Sequence, residues 1–238
     1  ELSFDYIVFN VNAAPFDDVK VRQALCCAVD KDKIIEILAR GIAETAAGIL
    51  PPGIPGYDAD FVGIEFNVSR AQQLINESSY RDGVPPIVLS VSGGCSGVSA
   101  IDEAVAYMWE EYLGVDVEIE AIDFSTLIDE ARAGKLQAFH LGWIADYPDA
   151  ENFLDLLFHC DAVENHAGYC NASVDALLEQ ARVEANVSVR LSLYRQAEAA
   201  IVNDAACLPL WFNQNYYLVK PYVKGFTPAQ MIIPWMKD

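Results

Sequence analysis

The sequence predicts an α/β fold, a mixed β-sheet flanked by helices, and three observations carry that expectation. Between residues 87 and 142, apolar runs of strand length alternate with helical periodicities in the order β-α-β-α-β, which favours a sheet covered by helices. The period switches cleanly, from two residues in Val115, Val117 and Ile119 to the three-and-four spacing of Ile101, Val105, Met108, Trp109, Tyr112 and Leu113. At 238 residues and 53% hydrophobic content, the chain can fill a substantial core.

From the start, β-branched and aromatic residues over positions 4–11 predict a strand, and Pro15 with Asp17-Asp18 marks a turn into a helix carrying Val21, Leu25, Ala28 and Val29 on one face. Asp30 is placed to cap a second helix through Ile34, Ile35 and Leu38, with Gly41 as its stop. A loop rich in Pro51, Pro52, Pro55 and Gly56 follows, then a helix over 70–80 with Ser69 as its expected cap. Pro85-Pro86 introduces a buried strand at 87–91, and the glycine-rich turn of residues 92–97 leads into the helix ending at Gly114. A strand with one wet face, a helix over 124–133 broken at Gly134, and a strand over 136–142 complete the central unit. The last third reads as a loop at 143–150, a short helix around 153–158, helices carrying Val174 to Ala181 and Leu191 to Ile201, and closing strands at 209–212 and 215–219. No repeat, low-complexity tract or linker divides the chain, so residues 1–238 are expected to form a single lobe.

Charge excludes several function classes. Fifteen Lys+Arg against 35 Asp+Glu give a formal charge of −20, which repels phosphate backbones and anionic lipid headgroups and argues against nucleic-acid or membrane-surface partners. No apolar run reaches the roughly 18 residues of a membrane span. The chain opens inside an apolar strand, which reads as a piece of a longer protein whose targeting signal lies upstream. Six cysteines allow fifteen pairings; Cys26 and Cys27 are adjacent on a helical pattern, where at least one reads as a small buried residue, and the pairing of Cys26, Cys27, Cys95 and Cys207 stays open. Cys160 and Cys170 flank a polar stretch that a local disulfide is suited to pin, and such a bridge implies an oxidising compartment.

Catalytic signatures are absent: the chain has no G-x-S-x-G elbow, H-E-x-x-H or phosphate-binding P-loop. His140, His159 and His166 are too scattered to make a metal site by spacing, and no cofactor is expected. The strongest candidate is the loop after the strand over 136–142, where Trp143, Ile144, Ala145 and Asp146 emerge together at a strand end. An indole beside a carboxylate suits an organic cation, because a carboxylate in a poorly hydrated cleft makes a strong charge-assisted bond to an ammonium. The competing structural role is a helix cap by Asp146 or Asp149, with Trp143 filling core. A second candidate is the turn of Ser92, Gly93, Gly94 and Cys95, whose backbone N–H groups precede a helix.

The motif order resembles that of the family 5 solute-binding proteins, the dipeptide- and oligopeptide-binding proteins of ABC importers. The resemblance runs through Phe9-Asn10, Pro15-Phe16-Asp17-Asp18, Val21-Arg22-Gln23-Ala24-Leu25, Leu50-Pro-Pro52, Gly142-Trp143, Ala145-Asp146-Tyr147-Pro148-Asp149, Asn152-Phe153-Leu154 and the helix containing Leu193-Tyr194-Arg195-Gln196-Ala197-Glu198. It implies a periplasmic-binding-protein-like lobe, the second of two, with the first lobe and a signal or lipid-anchor segment outside this chain. It implies an extracytoplasmic location, a short-peptide ligand and importer permease subunits as partners. The Asp of the G-W-x-x-D motif, which holds the α-ammonium of bound peptides in peptide-binding members, corresponds to Asp146. Dipeptide-binding relatives also carry a disulfide where Cys160 and Cys170 fall. One departure argues against a tight dipeptide fit: those relatives place an arginine after the strand matching 87–91, where this sequence reads Ser92-Gly-Gly-Cys-Ser-Gly97. Alternatives are a non-peptide ligand (a metal chelate, haem or other small cation) and, less favoured, a hydrolase built on Asp146, Asp149 and Glu151.

Overall fold

In the computed structural model, which describes residues 1–39, 42–93 and 97–226, the first strand runs Ser3–Phe9 (β1) and stops where Asn10 turns its side chain inward. The Asn10 amide donates to the carbonyls of Gly134 and Leu136 at 3.1 and 2.8 Å, so its hydrogen bonds go to another segment instead of extending the strand. Helices α1 (Val19–Cys27) and α2 (Lys31–Leu38) follow, capped by Asp18 and Asp30 through the amides of Lys20 and Lys33. Gly41, the expected stop of α2, lies outside the described residues. Strand β2 (Ala43–Thr45) has only three residues, too short to leave a periodic signal. Helix α3 (Val68–Glu77) starts before the predicted Ser69, because Asn67 supplies the cap by accepting from the Arg70 amide at 2.9 Å.

The central unit is β3 (Ile87–Ser92), α4 (Ala100–Leu113), β4 (Val117–Ile122), α5 (Phe124–Arg132) and β5 (Ala138–Ile144). Gly114 ends α4 with φ of 64°, a left-handed conformation that favours glycine. Strand β5 runs two residues past the expected end because Trp143 and Ile144 pair with Phe4 and Ser3. Helices α6 (Glu151–Phe158), α7 (Ala172–Val183) and α8 (Val187–Asn203) lead to β6 (Cys207–Asn213). The strand expected at 215–219 is absent: those residues form no ladder, and all are exposed.

The six strands of the described residues form one mixed sheet, β2-β6-β1-β5-β3-β4, in which β3 is parallel to β4 and β5 while β1 is antiparallel to β5 and β6. Alternation along β1 assigns the two cores. Phe4, Tyr6 and Val8 face one layer with α5 to α8, and Ile7 and Phe9 face the other with α1 to α4. The expected mixed sheet between helical layers is therefore present.

Candidate functional site

Strand β5 delivers the candidate loop. Trp143 is half-buried against the α5–α8 core, Ile144 is exposed, and Ala145 turns back into that core. The Ala145 amide donates to the carbonyl of Leu2 at 2.9 Å, so the Ala145 side chain serves packing and its backbone ties the loop to the start of the chain. Asp146 is exposed. Its carboxylate makes no hydrogen bond or ion pair within the described residues, whereas its backbone amide is fixed by the side-chain oxygen of Asn152 at 3.1 Å. The same oxygen accepts from the Trp143 indole at 3.0 Å.

The neighbouring acidic groups are engaged. Asp149 takes a bidentate pair from Arg190 at 2.9 and 2.8 Å and accepts from the Glu151 amide at 3.0 Å. Burial pushes the Asp149 carboxyl up, but these donors outweigh it and leave it below its ordinary value. Glu151 receives the hydroxyl of Tyr147, whose ionisation is pushed up to about 12 by burial and by that bond. The first turn of α6 is thus served by Asp149, and of the three residues that an acid–base hydrolase would use, two are committed to structural partners.

Ser92 and Gly93 end β3 at the same sheet edge, since β3 and β5 are parallel with Ser90 beside Phe139. The β3–β5 ladder pairs only Leu89 with Ala138 and Ser90 with Phe139, and Asp146 follows two residues after the end of β5. No hydrogen bond or ion pair joins the two loops among the described residues. Gly93 is set by packing: a Cβ there would lie 2.5 Å from that of Ala121 on β4. Gly94 and Cys95 lie outside the described residues.

Three features were not read from the sequence. A cavity of about 270 Å³ lies beside Trp143, walled by Tyr6, Phe124, Ile128, Leu141 and Leu157, with Arg132 and Glu164 paired at 3.4 Å on its lining. Its residues come from β1, α5, β5 and α6 and the segment after α6, so no local motif marks it. Asn152 stands in a motif, but its side-chain role depends on residues six and nine positions earlier. His140 is held between acids, its Nδ1 2.7 Å from Asp102 and its Nε2 3.8 Å from Asp5. The other histidines lie elsewhere, His166 beside Glu164 and His159 near Asp175 and Glu179. The sulfurs of Cys160 and Cys170 are at bonding distance, 2.00 Å. With Asp175 they form the only metal-like donor group among the described residues, and two of its three donors are committed to each other.

A family model described as "Bacterial extracellular solute-binding proteins, family 5 Middle" matches residues 1–165. Heme-binding protein A of Haemophilus influenzae is 32% identical over 236 residues, covering 96% of this chain and 42% of that protein. The dipeptide-binding protein of Escherichia coli K12 is 29% identical over 235 residues, covering 95% and 43% respectively. Among solved structures, a dipeptide-binding protein from Pseudoalteromonas sp. SM9913 in complex with Met-Leu superposes with a TM-score of 0.81 at 27% identity, covering 90% of this chain and 43% of that one. The chain thus spans less than half the length of the curated relatives it matches.

Proposed function

Because the chain belongs to the family 5 bacterial extracellular solute-binding proteins, we propose that it forms one lobe of a two-lobe, non-catalytic receptor that captures short peptides outside the cytoplasm for an ABC importer. Asp146 pairs the peptide α-ammonium, Trp143 packs beside it, and Ser92 and Gly93 at the end of β3 face the rest of the ligand. The observation that carries this reading is the Asp146 carboxylate, exposed and without a partner among the described residues, on a loop whose backbone is pinned from the core. Such a group is ready for an incoming cation and gives up no internal bond to meet it. Binding closes the lobes on a hinge, the importer permease receives the closed form, and any membrane attachment runs through an anchor outside this sequence. The Cys160–Cys170 disulfide fits an oxidising compartment.

The test is calorimetry on the full-length parent with a library of short peptides. A hydrogen bond between charged groups contributes about 1.5–3 kcal/mol, so Asp146→Asn is expected to weaken binding by roughly 10- to 150-fold. Unchanged affinity would sink the ammonium role. The largely apolar cavity beside Trp143 favours a second reading, capture of a haem, metal chelate or other non-peptide ligand. Equal binding of N-acetylated and free peptides, or haem binding without peptide binding, selects it.

A further inference from the structure

We propose that Asn152 is the positioning residue of the ligand-contact loop, a single buried acceptor that fixes the Trp143 ring and the Asp146 backbone relative to each other. The inference rests on the reading that Asp146 contacts the ligand. Asn152 is the second residue of α6 and 0% exposed, so it touches no ligand itself. Its oxygen receives both the Trp143 indole at 3.0 Å and the Asp146 amide at 3.1 Å. The orientation of the amide is forced, since turning it over would set its N–H groups against those two donors.

The other end of the side chain is poorly served: the buried Nδ2 lies near enough to the Tyr147 hydroxyl to act on its ionisation but makes no well-formed hydrogen bond among the described residues. A half-satisfied amide in a core is a net cost, so Asn152 is a poor choice for packing alone. What it supplies is the two-pronged acceptor. The loop is fastened on either side of that point as well, by the bond from the Ala145 amide to Leu2 and by the Asp149–Arg190 pair. Between these fastenings the Asp146 side chain is left outside, held in place through its own backbone. The arrangement supplies the pre-organisation that a binding carboxylate needs.

The experiment uses the full-length parent, [15N]tryptophan-labelled, with trialanine and pentaalanine as probes and Asp146→Asn as reference. Asn152→Leu removes the acceptor and is expected to speed solvent exchange of the Trp143 indole proton and weaken peptide binding, each by about tenfold, as loss of a hydrogen bond of ordinary strength would. Asn152→Asp keeps the acceptor oxygens and is expected to preserve indole protection and affinity to within about threefold, since an added negative charge does not oppose a cationic ligand. If Asn152→Leu binds as the unsubstituted protein does while Asp146→Asn is weakened, the positioning role is overturned and the peptide reading stands. If neither substitution weakens binding, or neither peptide binds the unsubstituted protein, both fall. Should Asn152→Leu fail to fold, Asn152→Asp decides, and loss of indole protection or affinity there overturns the proposal.

Discussion

Arg22 donates from its buried guanidinium to the backbone carbonyls of Phe16, Asp204 and Ala205. Ala205 holds φ at 47°, a left-handed conformation that an alanine adopts only when its surroundings enforce it. Arg22→Met would strand the buried carbonyls of Phe16 and Ala205 and the half-buried one of Asp204, and a loss of about 3 kcal/mol of unfolding free energy is expected in urea titration. Glu198 plays a comparable part from α8: one carboxylate oxygen accepts from the amides of Ile49 and Leu50 at 2.7 and 2.9 Å. Gly48 makes room for it, since a Cβ there would lie 2.5 Å from that oxygen. Burial raises the Glu198 carboxyl above its ordinary value in spite of the two amide donors. The folded state therefore binds the proton more tightly than the unfolded state. This contribution to stability is present at low pH and is lost as pH rises through the interval above 4.5. Glu198→Gln keeps an acceptor without titrating, so the variant should lose less stability than the wild type between pH 4.5 and 7, read from urea midpoints at both values. Both residues were visible in sequence only as members of motifs. Their hydrogen bonds reach 6 to 183 positions away, a distance that no local pattern reports.

At the scale of elements, the segment between α6 and α7 brings the sulfurs of Cys160 and Cys170 to bonding distance and is held by side-chain bonds of Asn165 to the carbonyls of His159 and Tyr169. Closing so short a loop contributes up to about 3 kcal/mol in the chain-entropy model. The Cys160→Ser, Cys170→Ser double variant should lower the thermal midpoint measurably, and a reductant should lower that of the wild type but not of the variant. Strands and helices with strong periodicity, α4 above all, were legible because their side chains repeat against one core. The misread elements share a different cause. β2 and the end of β5 exist through pairing with distant strands, while residues 215–219 have strand-like composition but pair with no strand among the described residues. Asp146 was legible because a strand end and a motif coincide there, whereas Asn152 resembles an ordinary polar residue in a first helical turn until its two donors are seen.

At the scale of the molecule, the charge of −20 is carried on a three-layer body whose cores contain few charges. Self-repulsion of such a surface opposes the compact state and is screened by salt. Raising ionic strength from 10 to 150 mM should therefore raise the thermal midpoint, by roughly 2–4 °C for each kcal/mol of repulsion relieved in a chain of this size. The mixed sheet carries another consequence. β1 lies between β5 and β6, so its ladder partners, residues 138–144 and 207–211, are far along the chain. Closing loops that long is slow, and until β5 and β6 dock neither ladder of β1 is formed. An apolar strand waiting with two open edges is a template for pairing with other chains. Escape from aggregation in the cell thus depends on something covering residues 3–9 until β5 and β6 arrive.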